Sequence, residues 1–237
     1  MPTEAPARRS IRSFVQRAGR ITRAQERALS ELWPRFGIEF APRLLALDAV
    51  FGRNAPRVLE IGIGNGDTLV ELARARPEAD FIGVEVHRPG IGHCLLGIEA
   101  DGLTNVRLVS HDAVEVLEHM IPDASLDEVL LYFPDPWPKK RHHKRRIVQP
   151  AFVELVARKL EPDGTFRLAT DWAPYAEHML AVLRGSAAFI NTSPTGDYVP
   201  RPDGRPQTKF ERRGERLGHE VFDLEFRRRP GSSAQLP

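Results

Sequence analysis

One cysteine, Cys94, is all the chain contains. A lone thiol excludes an internal disulfide framework and any zinc site built on paired cysteines, and it fits a reducing compartment. Long apolar runs are missing as well. No stretch approaches the roughly eighteen residues that cross a bilayer as a helix, so membrane insertion is not expected. The eight histidines show no H-E-x-x-H spacing, and no metal site is expected. There is no internal repeat. Acids are scarce at one end: only three precede residue 32, against Arg8, Arg9, Arg12, Arg17, Arg20, Arg23 and Arg27.

What is present suits one sizeable α/β domain. The 237 residues are 41% hydrophobic and 28% charged, as in globular proteins. The net charge of +2 hides segregation, because Lys139–Arg146 and Arg227–Arg229 form two further basic blocks. Polarised cations on a nearly neutral chain suggest an anionic partner such as nucleic acid. The Arg-rich start has the composition of a transit peptide. It runs, however, into ITRAQERALSELW, a helical continuation, so the reading is a basic arm with a short helix over 1–35 and a cytoplasmic protein.

From there strand and helix alternate. PRVLEIGIG, ADFIGVEVH, NVRLVSHDA, LDEVLLYF and GTFRLATD read as strands. Residues 67–75, 90–102, 113–121, 150–160 and 173–185 read as the helices between them, with Pro77, Gly102 and Gly185 as stops. That alternation predicts a Rossmann-like fold, a mostly parallel sheet covered on both faces. HEVFDLEFRR alternates apolar and polar and reads as a late antiparallel edge strand. Residues 191–218 read as a long loop of the kind that carries function or disorder. The domain is expected over 36–229, and 230–237 as a disordered tail.

Chemistry concentrates at the strand ends. RVLEIGIGNGD sets Gly62, Gly64 and Gly66 at the turn from first strand to first helix, where glycines permit close ligand approach. The spacing is not the dinucleotide G-x-G-x-x-G. Glu60 inside the strand end would repel a pyrophosphate, but it suits ammonium and sulfonium charge, as in S-adenosylmethionine. Glu85, nineteen residues on from Gly66, stands where a carboxylate accepts ribose hydroxyls. Asp112 ends the third strand, where an acid can accept from an adenine amine. A nicotinamide site is the competing reading.

The fourth strand delivers PDPW to the same edge. Prolines 134, 136 and 138 stiffen the loop, Asp135 is held near the cofactor, and Trp137 can stack on a flat group. Lys139 to Arg146 supply six Lys/Arg and two His in eight residues, suited to phosphates around a base held in the pocket. Asp171, in ATDW after the fifth strand, lies on the same edge.

RSFVQRAGRITRAQERAL, LEIGIGNGD, PDPWPKKRHHKRR, ATDWAPYAEHML and TKFERRGERLGHEVFDLEF together resemble the bacterial tRNA (guanine-N7-)-methyltransferases over nearly the whole chain. The resemblance implies methyl transfer from S-adenosyl-L-methionine to N7 of guanine 46 in the tRNA variable loop, with S-adenosyl-L-homocysteine as product. It implies a cofactor site at Glu60, Glu85, Asp112 and Asp135, with the glycine loop, and a catalytic role for Asp135. It assigns substrate binding to Lys139, Asp171, Thr208, Lys209, Phe210 and Glu211, and RNA contact to Arg141, His142, His143, Lys144, Arg145 and Arg146. No obligatory protein partner is implied, and monomer and homodimer stay open. Two other readings stand beside it. One is an exocyclic-amine methyltransferase on another base. The other is a non-catalytic RNA-binding module.

Overall fold

The computed structural model describes residues 13–14, 19–207, 211 and 220–231. Helix α1 (Arg23–Glu31) starts at a capping box. Thr22 Oγ1 accepts from the Gln25 amide, and Gln25 Oε1 accepts from the Thr22 amide, so two end donors are satisfied reciprocally. Trp33-Pro34 follows, a pair that reads in the sequence as the end of this helix, but it does not end helical structure. It opens α2 (Trp33–Phe36), with proline in the first turn. Then come β1 (Gly37–Ile38), α3 (Leu47–Phe51), β2 (Arg57–Ile61), α4 (Asp67–Ala75), β3 (Asp80–Val84), α5 (Arg88–Ala100), β4 (Val106–Val109) and α6 (Ala113–His119). The second half holds β5 (Leu126–Tyr132), a 3-10 segment (Lys140–Arg145), α7 (Pro150–Lys159), β6 (Leu160–Thr170), α8 (Ala173–Arg184), β7 (Phe189–Asn191) and β8 (Phe222–Arg228).

The strands form one sheet in the order β1-β4-β3-β2-β5-β6-β8-β7. All pairs from β1 to β6 are parallel, and β8 runs antiparallel to β6 and β7. Strand β8 is therefore not the edge expected from the sequence, because β7 pairs outside it. The segment read as loop from 191 also begins on a strand, and Val199 bridges to Asp223. Strand β1 and helix α3 went unanticipated; at two and five residues they are too short to show a period.

Alternation along each strand divides the core. Val58, Phe81 and Leu108 pack beneath Ala28 of α1, Leu69 of α4 and Ile98 of α5. Leu59, Ile82 and Phe166 face Leu117 of α6, Val156 of α7 and Met179 of α8. Burying each large side chain is worth about 1.5–3 kcal/mol. Beyond β5, the α1/α4/α5 face carries charge instead. Glu128 accepts from Arg76 (2.7 Å) and from Arg167, and Arg167 donates to Glu225 (2.7 Å). Among the described residues no helix is long and apolar enough to cross a membrane.

Candidate active site

Strand order reverses between β2 and β5, and parallel sheets hold ligands in the crevice outside such a seam. A cavity of about 240 Å³ lies there. Gly62, Gly64, Glu85, His111, Tyr132 and Asp135 line it, joined by Ser13 and Phe14 from the N-terminal arm.

The loop after β2 turns on Gly62, Gly64 and Gly66, with φ of +72°, +56° and +78°, values that L side chains rarely adopt. The three glycines do different jobs. Among the described residues a Cβ on Gly62 or Gly64 would meet nothing within 4 Å, whereas one on Gly66 would lie 2.3 Å from Cys94 Sγ. The first two leave space in the crevice, and the third lets the loop press onto α5. Gly90 of α5 completes the fit, since a Cβ there would stand 2.0 Å from the Gly64 carbonyl.

Glu85 ties this loop to the end of β3. Its carboxylate accepts from the amides of Gly64 (2.8 Å), Val86 (2.7 Å) and His87 (2.9 Å). A carboxylate offers about four acceptor positions, so some capacity remains for a ligand hydroxyl. Glu60, at 3% exposure, has an Oε2 with no hydrogen-bond partner among the described residues. Burial, reinforced by the Glu85 charge, pushes its pKa up to about 8. A buried carboxyl oxygen so placed calls for a cationic group to settle the charge. Together with the open glycine cradle, it fits the ammonium and sulfonium charge of S-adenosyl-L-methionine. Asp112 is occupied locally: it caps α6, with Oδ1 accepting from Val114 (2.9 Å), and it lines a neighbouring groove rather than this cavity. His111, stacked on Phe40 with ring centres 3.7 Å apart and held by Glu115, forms the wall in its place.

The PDPW loop is held in an unusual shape. Phe133 and Trp137 bracket it with φ of +51° and +44°. Bulky residues rarely take such values, and a residue before proline still less often. Each such residue costs on the order of 1–3 kcal/mol, and surrounding contacts must hold it. Phe133 donates its amide to Ala169 (2.8 Å), and the Trp137 indole donates to the Ser13 carbonyl (3.0 Å). Arg145 lies over the Trp137 ring at 4.8 Å, and His142 meets it edge-on. Asp135, at the tip, is exposed to the cavity.

Of the cationic block, Lys139, Arg141 and Lys144 are exposed, and His142, His143 and Arg145 half-buried. Arg146 departs from the expected RNA contact, because it is 3% exposed. Its Nε donates to the Pro136 carbonyl (3.0 Å) and its Nη1 to the Pro174 carbonyl (3.3 Å). It thus clamps the loop of Asp135 to the loop of Asp171. Nothing local in KKRHHKRR distinguishes this arginine from its neighbours.

Glu211 is buried at 1% exposure, where both oxygens receive Arg205, at 2.8 Å and 2.7 Å; Arg205 also donates to Asp223 at 3.1 Å. Thr208, Lys209 and Phe210, like the arm's Arg8, Arg9, Arg12 and Arg17, lie outside the described residues. Arg205, Ser13 and Phe14 escaped sequence reasoning. The only signal for Arg205 was its position three residues before a motif.

Residues 54–224 match the Methyltransf_4 family model, described as "Putative methyltransferase". A curated tRNA (guanine-N(7)-)-methyltransferase of Aeromonas hydrophila is 61% identical over 220 residues, 93% of each chain. Another, from Halorhodospira halophila, is 57% identical over 95% of this chain and 98% of its own. Among solved structures, the 16S rRNA methyltransferase KamB superposes with a TM-score of 0.56 at 18% identity, covering 77% of this chain and 94% of its own, a likeness of fold. On a sheet that carries a glycine cradle, a buried acid and the PDPW carboxylate at one edge, such identity over nearly the full length shows that the chain belongs to the tRNA (guanine-N(7)-)-methyltransferase family.

Proposed function

We propose that the chain methylates N7 of guanine 46 in the tRNA variable loop, acting in the cytoplasm without an obligatory protein partner, as monomer or homodimer. The observation that carries this reading is that Asp135 lines the same cavity as Gly62 and Gly64. S-adenosyl-L-methionine supplies the electrophilic methyl when bound and leaves as S-adenosyl-L-homocysteine. Glu60 meets its cationic end, the glycine loop gives it room, and Glu85 accepts from the ribose. Asp112 stands beside this set, in the neighbouring groove.

Guanine N7 is an unprotonated sp² lone pair, so the attack needs no general base. As the N7–carbon bond forms and the carbon–sulfur bond breaks, the purine becomes cationic. Asp135 accepts from the guanine N–H groups and offsets that charge; because its loop is braced beforehand at Pro136 and Phe133, little reorganisation is needed. Asp171 orients the base or its ribose from the β6 end, and most of the rate comes from positioning. Lys139, Arg141, His142, His143, Lys144 and Arg145 hold the surrounding phosphates. Thr208, Lys209, Phe210 and Glu211 serve the substrate side, Glu211 by fixing the loop through Arg205.

The deciding experiment is transfer from labelled S-adenosyl-L-methionine to unmodified tRNA, followed by nucleoside analysis. 7-Methylguanosine confined to the variable loop is the expected result. A methylated exocyclic amine would overturn the base assignment, and absence of both transfer and cofactor binding would make the chain a non-catalytic module.

A further inference from the structure

The three tryptophans stand in different states. Trp33 donates its indole N–H to Glu39 (2.5 Å). Trp137 is committed on several sides, through Ser13, Arg145 and His142. Trp172 has neither a ring contact nor an indole hydrogen bond among the described residues, and at 37% exposure it is one of two large hydrophobic side chains left open to solvent there. It follows Asp171 and forms the N-cap of α8, its amide bonded to Thr170 Oγ1 (3.3 Å). Its neighbourhood is the reaction edge. Arg146 joins Pro174, two residues on, to Pro136, the residue after Asp135, and Phe133 bonds to Ala169. An anchored backbone that carries a partly exposed indole is how a stacking platform is built.

We infer that Trp172, rather than the Trp137 favoured by sequence, supplies the flat face against which the target purine lies. The inference rests on the proposed methylation of guanine and adds a role to it. An indole face attracts cations more strongly than any other side-chain ring. The guanine is neutral before transfer and cationic after it, so this contact strengthens as the methyl arrives. An interaction of that kind raises kcat rather than only lowering KM. Asp135 would then meet the charge along the ring edge and Trp172 across its face.

The test compares Trp172→Phe, Trp172→Leu and Trp172→Ala with wild type on unmodified tRNA, with cofactor affinity and Tm recorded for each. Removing a base–aromatic stack commonly costs about five- to a hundredfold. The expected order of kcat is wild type, then Phe, then Leu and Ala together, with Leu and Ala reduced about ten- to a hundredfold and cofactor affinity unchanged. Indole emission should be quenched more by tRNA carrying 7-methylguanosine than by unmodified tRNA, and that difference should vanish in Trp172→Phe. A Leu variant as active as wild type, losses confined to KM, or an unaltered emission difference would overturn the inference. A wild type that methylates a different atom would instead overturn the proposed reaction, so the two failures are distinguishable.

Discussion

The guanidinium carbon of Arg146 lies 4.8 Å from the centre of the Tyr175 ring. Both residues are buried, and the Tyr175 hydroxyl accepts from the Val148 amide (3.4 Å). The cation is thus stacked on α8 while its donors hold Pro136 and Pro174. An arginine in a run of surface cations serves here as an internal brace.

Arg146→Met should therefore behave unlike its neighbours. Two carbonyls lose their donors, at a stability cost of about 1–3 kcal/mol. Asp135 loses its fixed placement, and kcat should fall about ten- to a hundredfold. The salt dependence of tRNA binding should stay as in wild type. A reduced salt slope in a filter-binding titration would show that Arg146 meets phosphate after all.

Lys144→Ala makes the opposite prediction. Its side chain is exposed, so its loss should weaken tRNA binding and lower the salt slope by about 0.7–0.9. Cofactor affinity should not change. Binding measured from 50 to 200 mM salt on both variants separates the two roles.

Asp135→Asn keeps the shape of the loop tip and removes its charge. Turnover on saturating tRNA should drop by about two to three orders of magnitude, as when a single charge-stabilising group is lost. Binding of tRNA should change little. Single-turnover transfer rates measure this directly.

Glu60 gives a pH signature with a definite sign. Its carboxyl titrates near 8 in the fold, against an ordinary 4.5. Between those values the folded chain holds a proton that the unfolded chain has lost, so its contribution to stability falls as pH rises from about 4.5 toward 8. Glu60→Gln should flatten that part of the Tm–pH curve. Cofactor binding at pH 7 should release a proton from wild type and none from Glu60→Gln, which calorimetry in buffers of differing ionisation enthalpy would reveal.

Gly90→Ala tests the seating of the cradle. The new methyl would collide with the Gly64 carbonyl at 2.0 Å, while at Gly97, on the same helix, it would meet only Val70 side-chain atoms at 3.2 Å and beyond. Gly90→Ala should weaken cofactor binding at least tenfold. Gly97→Ala should change stability by no more than about 1 kcal/mol in either direction, helix propensity offsetting the tight contact. Equilibrium binding of the cofactor to both variants decides it.

Much of this architecture was legible because periodicity and punctuation agree. PRVLEIGIG and LDEVLLYF are apolar runs with turn signals behind them, and they became β2 and β5. Gly62, Gly64, Glu85 and Asp135 converge because parallel strands put all their C-terminal ends on one edge. What stayed hidden depends on contacts distant in sequence. Burial of Arg146 rests on Tyr175, twenty-nine positions away, and Trp137 is engaged by Ser13, 124 positions away. Asp112, read as the end of the third strand, lies three residues beyond β4 as the N-cap of α6, and the Val114 amide takes its carboxylate.

The seam between β2 and β5 also divides labour along the chain. The strands to one side of it, β1 to β4, come from residues 37–109, and the strands to the other side, β5 to β8, come from residues 126–228. On the proposed reading, Gly62, Gly64 and Glu85 on the donor side and Asp135 on the acceptor side are thus encoded in separate, consecutive stretches that meet along a single strand pair. A lineage could rework which nucleotide it accepts by altering the later stretch, leaving the earlier one, and the methyl donor it serves, untouched.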